Sequence, residues 1–230
     1  MVVRRRHETR PDGRCTIVNN MADVSDLLRN DILNGDFPPG ERLIELQLTE
    51  RYGVGRAAIR SAIVELSTEG LVIHETNRGA AVRRVPIEEA IEIAEARGAL
   101  ESLLARRAAE RATDAEREEL SQIVADMRTA VAANRQADYS ELNRVLHRRI
   151  REISGHSTAS ELVANLRNRG AHHQFRLATM PGRSTDSLPQ HAAIVDAIVS
   201  GDGDAAAEAM QIHLMSVQDV LGSWVEQPRS

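Results

Sequence analysis

Lysine is absent from this 230-residue chain, cysteine occurs once, and aromatic side chains make up only 2 % of it. With Cys15 as the single cysteine, no disulfide can form within the chain, which fits a reducing compartment. No apolar run is long enough to span a bilayer. The arginine-rich start is not followed by the apolar segment of a secretory signal. We therefore expect a cytoplasmic protein with no membrane contact.

The scarcity of aromatic residues means that the core is built from aliphatic side chains, and the abundance of Ala, Glu, Arg and Leu favours helix. Hydrophobic residues account for 42 % and charged residues for 27 %, as in globular proteins. The length allows one large domain or two modest ones. The net charge of −5 counts mildly against nucleic acid, although only the local field at a docking face matters.

The stretch from Leu46 to Leu71 has the pattern of two short helices separated by a tight turn. Gly53 lies where the chain must turn, and glycine reaches positive φ without steric cost. Apolar residues recur at helical spacing on one face of each helix: Leu48 and Tyr52, then Ile59, Ile63 and Leu66. Gly70 ends the second helix.

Arg56 and Arg60 are four residues apart, so they share the opposite face of the second helix. A helix-turn-helix presents such a face to DNA, but two core helices with solvated arginines have the same pattern. The helix pair alone leaves both interpretations open. The following residues 71–85 predict two short strands around the turn Thr76-Asn77-Arg78-Gly79. A helix-turn-helix closed by a basic hairpin is a winged helix.

Residues 24–85 resemble the N-terminal DNA-binding domain of the GntR family of bacterial transcription regulators. The resemblance lies in LLRNDILNGDFPPGERLIELQL, YGVGRAAIRSAIVELSTEGLV and NRGAAV, in that order. It implies that Arg42, Arg56 and Arg60 contact DNA, with Arg78 and Gly79 at the wing tip. The chain departs from the family at Gly55, where serine is frequent, and at the following Ala-Ala, where Thr-Pro is common. Glycine still serves as a helix N-cap but offers no hydroxyl to a phosphate.

After Pro86 the periodicity is helical throughout, which predicts an all-α bundle with short connections. The helices are expected near Ile87–Arg111, Asp114–Ala133, Ala137–Ser154, Ser157–Thr179, Ser187–Ser200 and Ala205–Val225. Thr113-Asp114 and Ser157 offer N-caps. The fold class is thus mainly α. A disordered basic arm (1–20) precedes a winged helix-turn-helix with a small β-hairpin (21–85), a helical domain (86–225) and a tail (226–230).

Three histidines of the second half lie on amphipathic helices and can point inward. Asn143 and His147 share a helix face, while His191 and His213 lie on two other helices. Three histidines and one side-chain oxygen form a common ligand set for zinc and other transition metals. A lone histidine is more often an ordinary core or surface residue, and the sequence does not show that these converge.

Residues 87–225 resemble the FCD effector domain of the FadR branch of GntR regulators. The resemblance lies in R-x-x-x-E of ARGALES, N-x-x-x-H of LNRVLH with the following ISGH, H-x-x-I-x-x-AI of QHAAIVDAI, and the last histidine of AMQIHL. It implies metal ligation by Asn143, His147, His191 and His213, with zinc favoured over nickel or manganese. It also implies that Arg97 holds the carboxylate of a small organic acid. The alternative for Arg97 is a simple i,i+4 pair with Glu101.

Two positions depart from the FCD pattern, since the family often has aspartate at Asn143 and phenylalanine at Leu146. Three neutral imidazoles and a neutral amide leave the charge of a divalent metal uncancelled. We therefore expect weaker metal binding than with aspartate, and an anion in the open coordination positions. His172 and His173 are adjacent near a predicted helix end, and surface positions are expected for both, with the lining of a pocket as the alternative.

The resemblance implies a nucleoid-associated repressor that binds a pseudo-palindromic operator in double-stranded DNA as a homodimer and responds to an organic acid. One alternative is a metal-dependent hydrolase that uses the histidines. No carboxylate is placed by a motif to act as its general acid or base, so we do not expect an enzyme. Another alternative is a regulator whose metal is purely structural.

Overall fold

The computed structural model describes residues 21–33, 35–75 and 79–225. The expected basic arm (1–20), the turn residues 76–78 with Arg78, and the tail (226–230) lie outside the described residues. Within the described residues the fold is mainly α, with one small antiparallel sheet, as the sequence predicts. No helix there combines the length and apolar character that a bilayer span requires.

The N-terminal part is a winged helix-turn-helix. Its elements are α1 (Met21–Leu33), β1 (Arg42–Leu43), α2 (Glu45–Tyr52), α3 (Arg56–Thr68), β2 (Val72–Glu75) and β3 (Gly79–Val82). Gly53 ends α2 in the left-handed region, with φ 69°, and Gly55 caps α3 from an extended conformation. The apolar faces expected from the spacing are correct: Leu48, Ile59, Ile63 and Leu66 are all buried in one core with α1 and the sheet.

The sheet has one strand more than the sequence predicts, in the order β1-β3-β2. Arg42, which the resemblance implies as a DNA contact, lies on β1, opposite Ala81 of β3. The strand has only two residues, too few for an alternation pattern, and it forms because Leu43 is buried in the winged-domain core. Arg42 is consequently an exposed residue on the edge strand beside the hairpin.

The C-terminal part is a bundle around one large aliphatic core. Its helices are α4 (Ile87–Arg111), α5 (Asp114–Ala132), α6 (Gln136–Ser154), α7 (Ser157–Arg169), α8 (Ala171–Ala178), α9 (Arg183–Ser200) and α10 (Gly203–Ser223). The Thr113 cap forms as expected, in a capping box with Glu116. The cap predicted at Ser157 is wrong, because the N-cap of α7 is His156, whose ring accepts the Ala159 N–H.

Two helix boundaries differ from the sequence prediction. The single helix expected over Ser157–Thr179 is broken at Gly170, which has a low helix propensity and ends α7. The helix expected from Ser187 begins earlier, at Arg183, with Gly182 (φ 81°) before it and Pro189 inside it. Both differences affect the same region, since they create a short α8 and an extra turn of α9 that face each other across a cavity.

Candidate metal centre and nucleic-acid interface

Three histidines from three helices meet in the core of the helical domain. His147 of α6, His191 of α9 and His213 of α10 are all buried, and one ligand atom from each lies within 4.8 Å of the others. The ring centroids are 4.4 to 5.5 Å apart. Neutral imidazoles at this separation could hold a metal ion.

Each of the three rings is oriented by a hydrogen bond at Nδ1. The partner atoms are Glu101 Oε2 for His147 (2.8 Å), the Tyr139 hydroxyl for His191 (3.0 Å) and Gln190 Oε1 for His213 (2.9 Å). With Nδ1 engaged, Nε2 is the nitrogen that remains to bind an ion. A carboxylate, phenol or amide behind a histidine is the usual support of a metal-binding imidazole.

Two buried polar atoms beside this cluster have no hydrogen-bond partner in the described part of the chain. They are His191 Nε2 and Asn143 Oδ1. A buried polar atom without a partner is costly, because it has lost water and gained nothing in return. A bound cation would satisfy both the nitrogen and the oxygen, so the donor set fits a divalent metal.

The charge around the cluster is organised by Glu101, which is 2 % exposed. Burial by itself would raise the pKa of this carboxyl, but Arg97, His147 and Arg167 outweigh burial and hold it well below its ordinary value. The Arg97 guanidinium lies 2.7 Å from Glu101 Oε1, whereas the Arg167 guanidinium lies 4.0 Å away. Glu101 is therefore a carboxylate that pairs closely with Arg97 and loosely with Arg167.

Burial sets the protonation state of the three rings. It lowers the pKa of His147 despite the opposing effect of Glu101, and it holds the pKa of His191 and His213 well below the ordinary histidine value. The three imidazoles are consequently neutral at pH 7. Neutral imidazole is the form that binds metal ions.

A cavity of about 80 Å³ opens beside the histidines. Arg97, Arg167 and Arg183 line it, and none of its described lining residues is a carboxylate. The remaining polar lining is mostly neutral hydroxyl and amide groups: Gln136, Tyr139, Ser140, Asn143, Gln174, Ser184 and Ser187. Three arginines around one small space favour an anion.

Sequence reasoning found the three histidines, Asn143 and Arg97, and the structure brings all five together. The pair of Arg97 with Glu101, offered as the alternative to an effector role, also forms, and Arg97 still faces the cavity. Sequence reasoning missed Arg167 and Arg183, and it missed that Glu101 supports His147. The R-x-x-x-E spacing was the one available signal for Glu101, whereas nothing local distinguishes the two arginines from surface arginines.

His172 and His173 were both expected at the surface. His172 is exposed, but His173 is buried, and its Nε2 donates a hydrogen bond to the Val85 carbonyl oxygen at 2.8 Å. The surface position expected for His173 is wrong. Helix α7 ends at Gly170, and His173 of the following α8 contacts the segment that joins the two domains.

Three of the arginines expected to bind DNA lie on β1 and α3 of the winged domain. Arg42, Arg56 and Arg60 are exposed, while Arg78 lies outside the described residues. Arg60 Nε lies 2.9 Å from the Glu45 carboxylate, whereas Arg56 has no partner among the described residues. Gly79 begins β3 with φ 82°, and a groove of about 550 Å³ separates α3 from the hairpin.

A winged helix joined to a helical bundle with a buried histidine cluster defines a two-domain protein that combines a DNA-binding fold with a ligand or metal site. Residues 20–82 match the family described as bacterial regulatory proteins, gntR family, and residues 92–216 match the FCD domain. The chain belongs to the GntR family of transcriptional regulators, in the branch that carries an FCD domain.

Relatives and solved structures are similar along most of the chain. The transcriptional repressor RspR of Escherichia coli K12 is 29 % identical over 196 residues, which cover 84 % of this chain and 85 % of RspR. The repressor NanR of Cronobacter sakazakii is 31 % identical over 221 residues and 84 % and 82 % of the two chains. The structure of E. coli McbR/YncC matches the fold with a TM-score of 0.79, at 19 % identity over 90 % and 98 % of the chains.

The role of Glu101 generates a prediction about stability. Glu101→Ala leaves two buried guanidinium groups and His147 without their shared carboxylate, so the free energy of unfolding should fall by about 3–5 kcal/mol. Glu141→Ala is the matched control, because its pair with Arg144 lies at the surface of α6 and contributes less than about 1 kcal/mol. Urea denaturation measures both variants. Equal losses would contradict the central position given to Glu101.

Proposed function

We propose that this regulator is a repressor that binds a pseudo-palindromic operator as a homodimer, and that a small organic acid beside a divalent metal in the helical domain alters its DNA affinity. One observation carries the proposal. Three buried histidines converge at a cavity that is also lined by three arginines and by Asn143, whose amide oxygen has no hydrogen-bond partner among the described residues. The winged domain supplies the DNA-binding half.

Metal ligation is proposed for Asn143, His147, His191 and His213, with zinc favoured and nickel or manganese as the alternatives. The neutral nitrogens and the orphaned Asn143 oxygen support this set. The metal would supply positive charge that polarises and holds a carboxylate. Arg97 is proposed to bind that carboxylate, because its guanidinium faces the cavity while Glu101 fixes its orientation.

DNA contact is proposed for Arg42, Arg56, Arg60, Arg78 and Gly79. Support comes from the exposure of Arg56 and Arg60 on the open face of α3, the helix that enters the major groove in proteins of this fold. Arg56 has no ion-pair partner among the described residues and can reach a base or phosphate directly. Arg60 must first break its ion pair with Glu45. The positive φ and missing side chain of Gly79 suit a close approach of the wing to DNA.

A homodimer is proposed because two-fold symmetry lets two recognition helices read two half-sites. The helical domain offers an apolar surface for a second copy. Leu162 of α7 is 49 % exposed, and the next residue, Val163, belongs to a small cluster to which Leu100 and Leu103 of α4 contribute with partly buried side chains. A protein of this kind acts in the cytoplasm, on the nucleoid.

The metal and acid proposal predicts linked stabilisation. The test screens mono-, di- and tricarboxylates with and without zinc. Zinc together with one acid should raise the melting temperature more than either alone. A ligand present at a hundred times its Kd adds about 2.7 kcal/mol to the free energy of unfolding. His191→Ala should abolish the zinc-dependent part. His74→Ala, which removes an exposed histidine of β2, is the control.

Two results of that thermal-shift experiment would decide against the proposal. Stabilisation by zinc alone, with no effect of any acid, would mean that the metal is structural. An acid effect that survives in His191→Ala would show that the acid binds away from the histidine cavity.

The neutral Asn143 generates a second prediction. Asn143→Asp adds a charged oxygen beside the histidines, so zinc should bind more tightly, as measured by competition with a chromogenic chelator. Asn165→Asp makes the same chemical change on the exposed face of α7 and should leave zinc affinity unchanged. Unchanged or weaker zinc binding by Asn143→Asp would argue that residue 143 is not a ligand.

The DNA interface generates a third prediction. Arg56→Ala should cost about 1–3 kcal/mol in binding a duplex selected from a random pool, if the guanidinium contacts guanine through two hydrogen bonds. Arg128→Ala removes an exposed arginine of α5, far along the chain from the winged domain, and should bind like the wild type. An equal loss on selected and unselected duplexes would indicate a phosphate contact instead.

A further inference from the structure

The last turn of α7 lies between the histidine cavity and the winged domain. Arg167 lines the histidine cavity, while the next two residues, Asn168 and Arg169, point toward the winged domain and line a cleft of about 140 Å³ between the domains. Adjacent residues of a helix project about 100° apart and are held rigidly by the same backbone. A movement of Arg167 that carries its backbone must therefore move Asn168 and Arg169.

Asn168 contacts the end of the recognition helix. Its Nδ2 donates a hydrogen bond to Glu69 Oε2 at 3.1 Å, and Glu69 is the C-cap residue of α3. Arg29 of α1 donates to the same carboxylate at 2.8 and 2.6 Å. The position of α3 relative to the helical domain is thus fixed in part by an amide from α7.

Arg169 is linked to the segment after the wing through Glu89 of α4. Its guanidinium lies 2.8 Å from Glu89 Oε1 of α4, and the same oxygen is 2.8 Å from Arg83, which directly follows β3. His173, at the start of α8, donates to the Val85 carbonyl oxygen of the same segment. The residues around the α7–α8 junction therefore contact the end of the recognition helix directly, and they contact the segment that follows the wing through Glu89 and the Val85 carbonyl oxygen.

Of the two arginines nearest to Glu101, Arg167 is the one that a ligand can recruit. Arg97 is held by Glu101 through contacts of 2.7 and 2.8 Å, and it is 6 % exposed. Arg167 is 4.0 Å from the same carboxylate, with a side chain that is 18 % exposed. Burial, and then repulsion by Arg97, lowers the pKa of Arg167 to about 9, so it is a guanidinium with poor compensation for its lost water.

We propose that Arg167 is the positioning residue that couples the histidine cavity to DNA binding. An anion in the cavity draws its guanidinium inward, and the last turn of α7 moves with it. The contacts of Asn168 with Glu69 and of Arg169 with Glu89 then change, which alters how α3 is presented. This inference rests on the proposed anion site, since a ligand regulates only by its different contacts in two arrangements.

Hydrogen exchange measured by mass spectrometry on the full chain tests the coupling without knowledge of the operator. The probes are zinc alone, and zinc with acetate, malonate or citrate. We expect slower exchange around the cavity in 139–147 and 183–191, together with a change at the distal segments 66–71 and 83–90. Zinc without an acid should protect the cavity but leave the distal segments unchanged.

Variants separate the coupling from the binding. Arg167→Met should lose the distal change, and Arg167→Lys, which keeps a positive charge, should restore part of it. Asn168→Ala should keep full cavity protection and lose the change at 66–71 alone, which holds even if Arg167→Met binds the acid poorly. Asn165→Ala, an exposed residue on the same helix, should behave like the wild type.

The outcomes distinguish the inference from the function on which it rests. Cavity protection in the wild type without any distal change would overturn the coupling and leave the anion site standing. A distal change that persists in Asn168→Ala at 66–71 would also overturn it. If no acid protects the cavity beyond zinc, the proposed anion site is wrong, and the coupling is wrong with it.

Discussion

One buried carboxylate, Glu101, determines the geometry of the helical domain's interior. Charge removed from water is costly unless it is paired closely and completely. Glu101 meets this requirement with His147 on one oxygen and Arg97 on the other. The first contact directs the Nε2 of His147 toward the other two histidines, and the second fixes Arg97 at the cavity wall. The orientation of His147 and the position of Arg97 therefore depend on the same side chain.

The charges of the residues around this cavity favour an anion. Glu101 compensates one arginine, while Arg167 and Arg183 remain with weak or neutral partners. Asn143 adds an oxygen but no negative charge. No carboxylate is among the described residues that line the cavity. A bound anion would complete the electrostatics of the site.

Much of the fold could be predicted from the sequence because its signals are local. The Gly53 turn, the Thr113 cap and the apolar face of α3 are each specified within a few neighbouring residues. The third strand was missed because two residues carry no periodicity, and the break at Gly170 because helical spacing continues on both sides of it. For the site, residue spacing placed Asn143 and His147 on one face and put His191 and His213 on two other amphipathic helices, but only the family resemblance implied that the four converge. Arg167 and Arg183 gain their role purely from tertiary packing.

The polar character of the contacts between the domains has an energetic consequence. The pair of Arg83, which follows β3, with Glu89 of α4 is partly exposed, and such ion pairs contribute about 0–1 kcal/mol each. Coupling between two sites in regulated proteins is typically about 1–3 kcal/mol. The summed free energy of a few contacts of this kind is therefore comparable to the coupling free energy of a regulated protein. One bound anion would suffice to rearrange them. A large apolar interface would instead fix the winged domain in one position, beyond the reach of a small ligand.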